Sequence, residues 1–317
     1  MIVFPDVIDA RRRIEKVVNR TYLDHTATLS RLSGNEVYLK PENLQKTGAF
    51  KVRGAANFIL KFDPPGLRKG VITGSSGNHG QAVAYAAALA DYPAVVVVPE
   101  DVSPAKVAAI KGYGAEIVHH GNTSQERIEK AEELAAEKEL TFIHPFDDPW
   151  VMEGQGSIGL EILEDLPDVD AVLVPVGGGG LISGIATAIK GGKPDAKVYG
   201  VEPAASNSMY RSLQRGKVTE LTAINTLADG LRTNKPGLLT FSLVQEHVDD
   251  ILLVTEEEIK KALLFLLERG KLLAEPSGAV TVAAVLANKV PLQGKKIAVV
   301  ISGGNVDLRL VGKLIGG

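Results

Sequence analysis

Short runs of β-branched and other apolar residues recur along the chain, separated by more polar stretches rich in helix-favouring residues. Amphipathic helices are predicted to begin near His79 and near Ser124. Strands that alternate with helices form parallel sheets, so the pattern predicts an α/β fold. The predicted strands are residues 71–73, 94–99, 115–120, 171–176, 197–202 and 296–302.

Two turn-rich segments, residues 62–66 and 145–149, mark the predicted domain boundaries. The chain between them would form a small α/β domain inserted into a larger one. We therefore predict a large domain of residues 1–63 and 148–317 and a small domain of residues 64–147. Two open parallel sheets in this arrangement leave a cleft between them, and ligands tend to bind in such clefts.

Composition narrows the classes of function. The 317 residues include no cysteine, which excludes disulfides, thiolate metal sites and a cysteine nucleophile and favours a cytoplasmic location. The basic residues near the N-terminus follow an apolar patch, the reverse of an export signal, and no apolar run is long enough to span a membrane. The net charge of −3, with lysine and arginine scattered along the chain, gives no sign of nucleic-acid binding. A small-molecule ligand is the remaining expectation.

Glycine is in surplus: the chain has 33, roughly 11 more than average usage gives. Four of them form one run after a predicted strand, Gly177, Gly178, Gly179 and Gly180. Because residues without side chains let backbone N–H groups converge on an anion, we interpret the run as a phosphate site; a tight turn needs fewer glycines. The dinucleotide fingerprint is not met in register from Leu181 onward, but Glu202, about 20 residues on, leaves a nicotinamide site open.

Three further clusters have less specific patterns. Ser75, Ser76 and Asn78 follow a predicted strand and would suit a carboxylate at a helix start, or simply cap the helix. Ser76 could also take part in proton transfer. Lys51 lies near a predicted helix start, where a lone lysine is more often a surface residue. Ser302 ends the last strand, where open α/β sheets bind ligands, but alone it indicates a turn.

Taken in order, seven motifs resemble the fold-type II family of pyridoxal-phosphate enzymes, and specifically its threonine dehydratase and serine racemase branch. Each motif is weak, whereas the ordered set is specific. The resemblance implies pyridoxal 5'-phosphate as cofactor, bound in the cleft between two open parallel-sheet domains, as in tryptophan synthase β. The motifs are residues 38–55, 73–82, 144–149, 154–162, 175–184, 275–279 and 302–307.

The resemblance implies a role for each cluster. Lys51 would form the internal Schiff base and act as the base at the substrate Cα. Phe50 would flank the cofactor ring, Asn78 would touch its phenolic oxygen and Ser302 would meet its pyridine nitrogen. The phosphate would be held by Gly177, Gly178, Gly179, Gly180 and Leu181. The substrate carboxylate would be held by Ser75, Ser76, Asn78 and His79.

The expected reaction is α,β-elimination, which converts L-threonine and L-serine to a 2-oxo acid and ammonia, with closure of a mobile small domain to exclude water. Serine racemase and 3-hydroxyaspartate dehydratase activities are alternatives within the family. Ser76 matches the acid–base residue of serine racemases as well as serine-bearing dehydratases, while Phe146, where mammalian-type racemases have Asn, favours a dehydratase. From other classes, a non-catalytic ligand-binding module and an NAD-dependent oxidoreductase remain open.

The resemblance also suggests a cation site and an oligomer. Glu202, Ser206 and Ser208 match the metal motif of racemases, but Ser208 replaces an aspartate, so a monovalent cation is as suitable as a divalent one. We expect a homodimer or homotetramer that acts on a small hydroxy amino acid. Because the chain ends soon after residue 307, we expect no isoleucine-binding regulatory domain.

Overall fold

The computed structural model describes residues 1–62, 69–75, 77–102, 104–121 and 123–315. Within these residues ten strands form two sheets. The larger sheet has the order β1-β2-β10-β7-β8-β9 and contains Asp24–His25 (β1), Glu36–Pro41 (β2), Ala171–Pro175 (β7), Lys197–Pro203 (β8), Asp250–Val254 (β9) and Lys296–Ile301 (β10). The smaller sheet has the order β5-β4-β3-β6 and contains Val71–Gly74 (β3), Ala94–Val98 (β4), Glu116–His119 (β5) and Thr141–Phe142 (β6).

Every pairing is parallel except that of β1 with β2, which is antiparallel at the edge of the larger sheet. The predicted α/β fold with two open parallel sheets is therefore confirmed. All six predicted strands are present, and β1, β2, β6 and β9 are additional to them.

Thirteen α-helices in the described residues connect or cover the strands. They are Phe4–Ile14 (α1), Ala27–Ser33 (α2), Lys51–Lys61 (α3), Asn78–Leu89 (α4), Pro104–Gly112 (α5), Ser124–Lys138 (α6), Pro149–Asp165 (α7), Gly180–Gly192 (α8), Ser208–Arg215 (α9), Leu238–His247 (α10), Glu256–Phe265 (α11), Pro276–Leu286 (α12) and Leu308–Ile315 (α13). No helix in this part of the chain is long and apolar enough to cross a membrane.

The central strand β10 shows why its sequence is apolar throughout. Val299 packs into the core that includes Val280 of α12, whereas Val300 packs into the core that includes Ile185 of α8. Because successive side chains of a strand point to opposite faces, a sheet covered by helices on both sides needs apolar residues at every position.

Helix α3 packs against two other helices, α4 and α7. Its apolar residues, including Val52 and Phe58, share a core with α4 and with Val96 of the smaller sheet. Its other contact is with α7, where Gly54 and Gly154 let the two backbones approach each other: a Cβ at Gly54 would lie 2.7 Å from the Val151 carbonyl oxygen. The first residue of this helix is Lys51.

The four strands of the smaller sheet all lie within the range predicted for the small domain. Of the first predicted boundary, residues 63–66 lie outside the described residues. The division into a large and a mobile small domain stays a prediction.

The crossing of α3 and α7 leads to a stability prediction. A Cβ at Gly154 would overlap the Arg53 carbonyl oxygen, so Gly154→Ala should lower the free energy of unfolding by about 1–3 kcal/mol in urea titrations. Gly112→Ala is the matched control, because a Cβ at Gly112 meets nothing within 4 Å. That control should be neutral or raise the stability by up to about 1 kcal/mol. Equal stability of the two variants would contradict the close approach.

Candidate active site

Lys51 is partly buried at the first position of α3. Its Nζ donates a hydrogen bond to the Pro145 carbonyl oxygen at 2.6 Å and lies 5.2 Å from the centroid of the Phe50 ring. Burial lowers the pKa of the Lys51 amine to about 8, against the attraction of the Glu275 carboxylate. A cation at a helix start is also disfavoured by the helix dipole. This lysine therefore supplies a neutral, nucleophilic amine at a much lower pH than a surface lysine does.

Asn78 and Glu275 form the next part of the site. Asn78 Nδ2 donates to Glu275 Oε1 at 2.7 Å, and Asn78 Oδ1 accepts from Asn305 Nδ2 at 2.8 Å. Asn305 also donates to the Thr47 carbonyl oxygen at 2.7 Å. Burial raises the pKa of Glu275 to about 8, with Asp229 acting in the same direction and the Asn78 hydrogen bond opposing both.

Sequence reasoning assigns no role to Glu275 or Asn305, although both lie in motifs that carry the resemblance. The sequence offers one local signal that could have drawn attention to Glu275: it is the carboxylate directly before Pro276, the first residue of α12. Neither residue has a partner close in sequence, since Asn78 lies 197 positions from Glu275 and 227 from Asn305. Only the folded chain reveals the group.

The end of β10 fixes the segment that leads into Lys51. Phe50 N donates to the Ser302 carbonyl oxygen at 3.1 Å, and Ala49 forms a β-bridge with Gly303. Glu275 N donates to the Gly303 carbonyl oxygen at 3.0 Å. A Cβ at Gly303 would lie 2.5 Å from Glu275 Oε1. Ser302, which is buried, therefore lies next to both the lysine and the carboxylate.

The glycine run lies directly after β7, as predicted, and Gly180 begins α8. Gly179 has a φ of +98°, a conformation that other residues rarely adopt. The ring of Phe146 packs directly on Gly178, and a Cβ at Gly180 would lie 2.7 Å from the Phe146 carbonyl oxygen. Leu181 follows in the first turn of α8 and is buried.

Residues 144–148, here called the HPFDD loop, connect these parts. Pro145 accepts from Lys51 while Phe146 covers the glycine run. Asp147 accepts from the N–H groups at the start of α10, at 3.0 Å from both Leu238 and Thr240, and Asp148 caps α7. Two helix starts thus hold the loop. The sequence predicts only a turn-rich boundary here.

His144, the first residue of the HPFDD loop, accepts two hydrogen bonds from the loop's own backbone. Its Nδ1 accepts from the N–H of Asp147 at 2.8 Å and of Phe146 at 3.2 Å. Burial lowers the pKa of His144 to about 4, against the nearby Asp147 carboxylate. The imidazole is therefore neutral at physiological pH and able to accept both hydrogen bonds.

The predicted carboxylate site is described in part. His79 is buried in the first turn of α4; its Nε2 lies 3.3 Å from the Ile143 carbonyl oxygen, and Nδ1 has no hydrogen-bond partner among the described residues. Burial, with Lys51 nearby, lowers the pKa of His79 well below its usual range. Ser75 Oγ accepts from Gly77 N at 3.4 Å. Ser76 lies outside the described residues.

Glu202, Ser206 and Ser208 form a separate group. Both carboxylate oxygens of buried Glu202 accept backbone N–H groups from α9, at 3.0 Å from Met209 and 2.8 Å from Tyr210. Burial raises the pKa of Glu202 to about 8. Ser206 Oγ donates to the Leu231 carbonyl oxygen at 2.8 Å, and the Ser208 carbonyl accepts from Ser212.

The arrangement around Glu202 is that of a helix cap. In the described ranges, no group of three or more His, Asp or Glu side chains is placed to hold a metal ion. The predicted cation stays a prediction. The group still borders the candidate site, because Met209 packs beneath Gly179.

Comparison with known proteins agrees with this geometry. The sequence model of the pyridoxal-phosphate dependent enzymes matches residues 14–303. The chain belongs to this family. Among pyridoxal-phosphate dependent enzymes it is 48% identical to the L-threonine ammonia-lyase of Thermotoga maritima, over 99% of this chain and 78% of that protein. It is 42% identical to the L-threo-3-hydroxyaspartate ammonia-lyase of Saccharomyces cerevisiae, over 99% and 96% of the two chains. The structure of maize serine racemase superposes with a TM-score of 0.94 at 36% identity, over 99% and 97% of the two chains.

Membership of the family turns the lowered pKa of Lys51 into a prediction. If Lys51 attacks the cofactor aldehyde, only its neutral amine reacts, so the rate of reconstitution of the apoprotein should rise about tenfold per pH unit below the pKa. The rate should level off above about pH 8, the pKa of Lys51. Growth of the visible absorbance band under stopped flow measures it. A rate that still rises towards pH 10, as for lysine in a free peptide, would contradict the burial of the amine.

Proposed function

We propose that this chain is an ammonia-lyase that converts L-threonine and L-serine to a 2-oxo acid and ammonia. The observation that carries the proposal is the Lys51 amine, partly buried, with its pKa lowered to about 8, and directed at the loop that covers the glycine run. An amine in that state can both bind an aldehyde and remove a proton from carbon. The identity to the Thermotoga L-threonine ammonia-lyase, 48%, supports the substrate class.

The residues fit pyridoxal phosphate. The glycine run at the start of α8 lacks the side chains that would block a phosphate, and its backbone N–H groups lie at the positive end of a helix. Asn78 Nδ2 uses one of its two N–H bonds on Glu275, which leaves the other for the cofactor's phenolic oxygen. We propose that Lys51 binds the aldehyde, Phe50 flanks the ring and Ser302 meets the pyridine nitrogen. When bound, the cofactor supplies an electron sink for the substrate Cα.

The chain's own residues then perform the proton chemistry. The neutral Lys51 amine takes the proton from the substrate Cα, and the Pro145 carbonyl oxygen, 2.6 Å from Nζ, orients the amine. The N–H groups in the first turn of α4, at Asn78 and His79, have no partner within the helix and are suited to a substrate carboxylate. Ser75 and Ser76 complete the proposed carboxylate site.

Glu275 gives the site a second titrating group. With its pKa raised to about 8, Glu275 is mostly protonated at neutral pH. It therefore adds little negative charge beside Lys51 and Asn78, and burial of the amine outweighs the attraction of Glu275 that would raise the lysine's pKa. As the pH rises above about 8, both groups lose their protons.

Substitution of Lys51 is the direct test of the proposed base. Lys51→Ala should abolish the visible band and reduce turnover by about 1,000-fold or more, since general acid–base and covalent catalysis are both lost. The matched control is Lys260→Ala, which removes an amine of α11 that is paired with Glu257, and it should keep both band and turnover. Retention of turnover in Lys51→Ala would contradict the proposal.

The substrate is tested by measuring 2-oxo acid formation with L-threonine, L-serine, D-serine and the stereoisomers of 3-hydroxyaspartate. We expect L-threonine and L-serine to react fastest. The yeast relative makes L-threo-3-hydroxyaspartate the second candidate, and a preference for it would replace the proposal. Chiral analysis of L-serine incubations measures racemisation, for which Phe146→Asn is the informative variant. A wild-type protein that produces D-serine faster than 2-oxo acid would show a racemase instead.

The cation, a homodimer or homotetramer, and a cytoplasmic location stay predictions. Turnover after treatment with a chelator, followed by addition of K⁺ or Mg²⁺ separately, tests the first. Light scattering of the purified protein tests the second.

A further inference from the structure

The proposed function does not use a group of four buried charged residues beside the lysine helix, here called the Arg53 cluster. Its members are Arg53, Glu42, Glu161 and Lys40, and their side chains are 0–4% exposed. Two positive and two negative charges make the cluster neutral. It joins α3, β2, the turn after β2 and α7.

Arg53 is the centre of this cluster. Its guanidinium forms a double hydrogen bond with Glu42 at 2.8 Å for both contacts, and another with Glu161 at 2.7 and 3.0 Å. Nη1 also donates to Ser157 Oγ at 3.1 Å. All five N–H donors of the planar guanidinium are thereby used. Such a fork of paired N–H donors fixes the direction of the guanidinium as well as its distance from each carboxylate.

Stability is a weak explanation for this arrangement. Removing charges from water costs several kcal/mol for each ion, and apolar residues of similar volume are often at least as stabilising. The cluster's position in the chain offers a better explanation. Arg53 is in the first turn of α3, two residues after Lys51.

The start of α3 lacks the usual means of fixation. Its N-cap residue is Phe50, whose side chain makes no cap hydrogen bond, and the nearest side-chain acceptor is Gln155 Oε1, which accepts from Gly54 N at 3.2 Å. Without a cap, the first turn of a helix tends to fray. Here the backbone hydrogen bond from Phe50 N to the Ser302 carbonyl oxygen holds one side of the first turn. The hydrogen bonds of the Arg53 guanidinium to Glu42 and Glu161 hold the other side.

We propose that Arg53 is a positioning residue, whose buried fork to Glu42 and Glu161 fixes the first turn of α3 and so directs the Lys51 amine at the Pro145 carbonyl oxygen. The proposal rests on the proposed role of Lys51. It gives the Arg53 cluster a role in positioning the Lys51 amine, and this role can be measured separately from any effect on folding.

The test is the double variant Arg53→Met with Glu42→Gln, which removes one charge of each sign and leaves the Lys40–Glu161 pair intact. Its matched control is Lys61→Met with Glu153→Gln, which removes a 2.7 Å ion pair between the other end of α3 and α7. Because small displacements of a reacting group cost about 100-fold in rate, we expect kcat of the Arg53 variant to fall by roughly that factor with little change in KM. The control should keep kcat within about twofold, because Lys61 and Glu153 lie at the far end of α3 from Lys51.

A second measurement is made on the apoprotein and needs no turnover. Acetylation of Lys51, followed by peptide mass spectrometry across a pH series, reports the pKa of its amine. The wild type and the control should show a midpoint near pH 8. In the Arg53 variant the midpoint should move towards that of an ordinary lysine, because the amine leaves its buried position.

The outcomes separate the two proposals. If the wild type fails to form a 2-oxo acid, the proposed function fails, while the labelling midpoints still decide the role of Arg53. If the Arg53 double variant folds and keeps both the wild-type kcat and the wild-type midpoint, the positioning role is wrong. If the double variant does not fold, the same two measurements are made on Arg53→Lys, which keeps the positive charge but cannot form the two double hydrogen bonds. A wild-type kcat and a wild-type labelling midpoint in Arg53→Lys would overturn the proposal.

Discussion

The structure depends on keeping one amine, that of Lys51, partly out of water at the start of a helix. Three separate parts of the chain contribute: the end of β10 pairs with the residues before the lysine, the HPFDD loop accepts its hydrogen bond, and α7 supports its helix. Burial, which lowers the pKa of the amine, is therefore a property of the tertiary fold.

Close approach to the glycine backbone is the second constraint, and it accounts for part of the glycine surplus. Gly154 and Gly54 bring α7 against α3, Gly178 and Gly180 admit the HPFDD loop, and Gly303 leaves room for Glu275. Each contact would be blocked by a single methyl group. Gly178 and Gly180, which would leave space for a phosphate, thus also set the distance between the glycine run and the HPFDD loop.

Much of the fold could be predicted from the sequence, because a strand buried on both faces is apolar throughout, as in β10 and β7. The strand β2 was missed since Glu36 and Lys40 interrupt its apolar pattern, and Lys40 is buried only because Glu161, 121 positions away, pairs with it. The glycine run was found from local spacing, whereas Lys51, which taken alone would be read as a surface lysine, received its role only from the family resemblance. Glu275 and Asn305 were not found, because what defines them is contact with Asn78 across the fold.

The HPFDD loop has a consequence for how the protein could diversify. Its C-terminal end is held by Asp147 and Asp148 at two helix starts, and its backbone by His144. Phe146 can therefore be exchanged for a side chain of another size while the Pro145 carbonyl keeps its place. Substitution at this one position would alter the packing on Gly178 while the Pro145 carbonyl keeps its hydrogen bond to Lys51. The packing over the glycine run and the orientation of the amine are thus set by two neighbouring residues, Phe146 and Pro145.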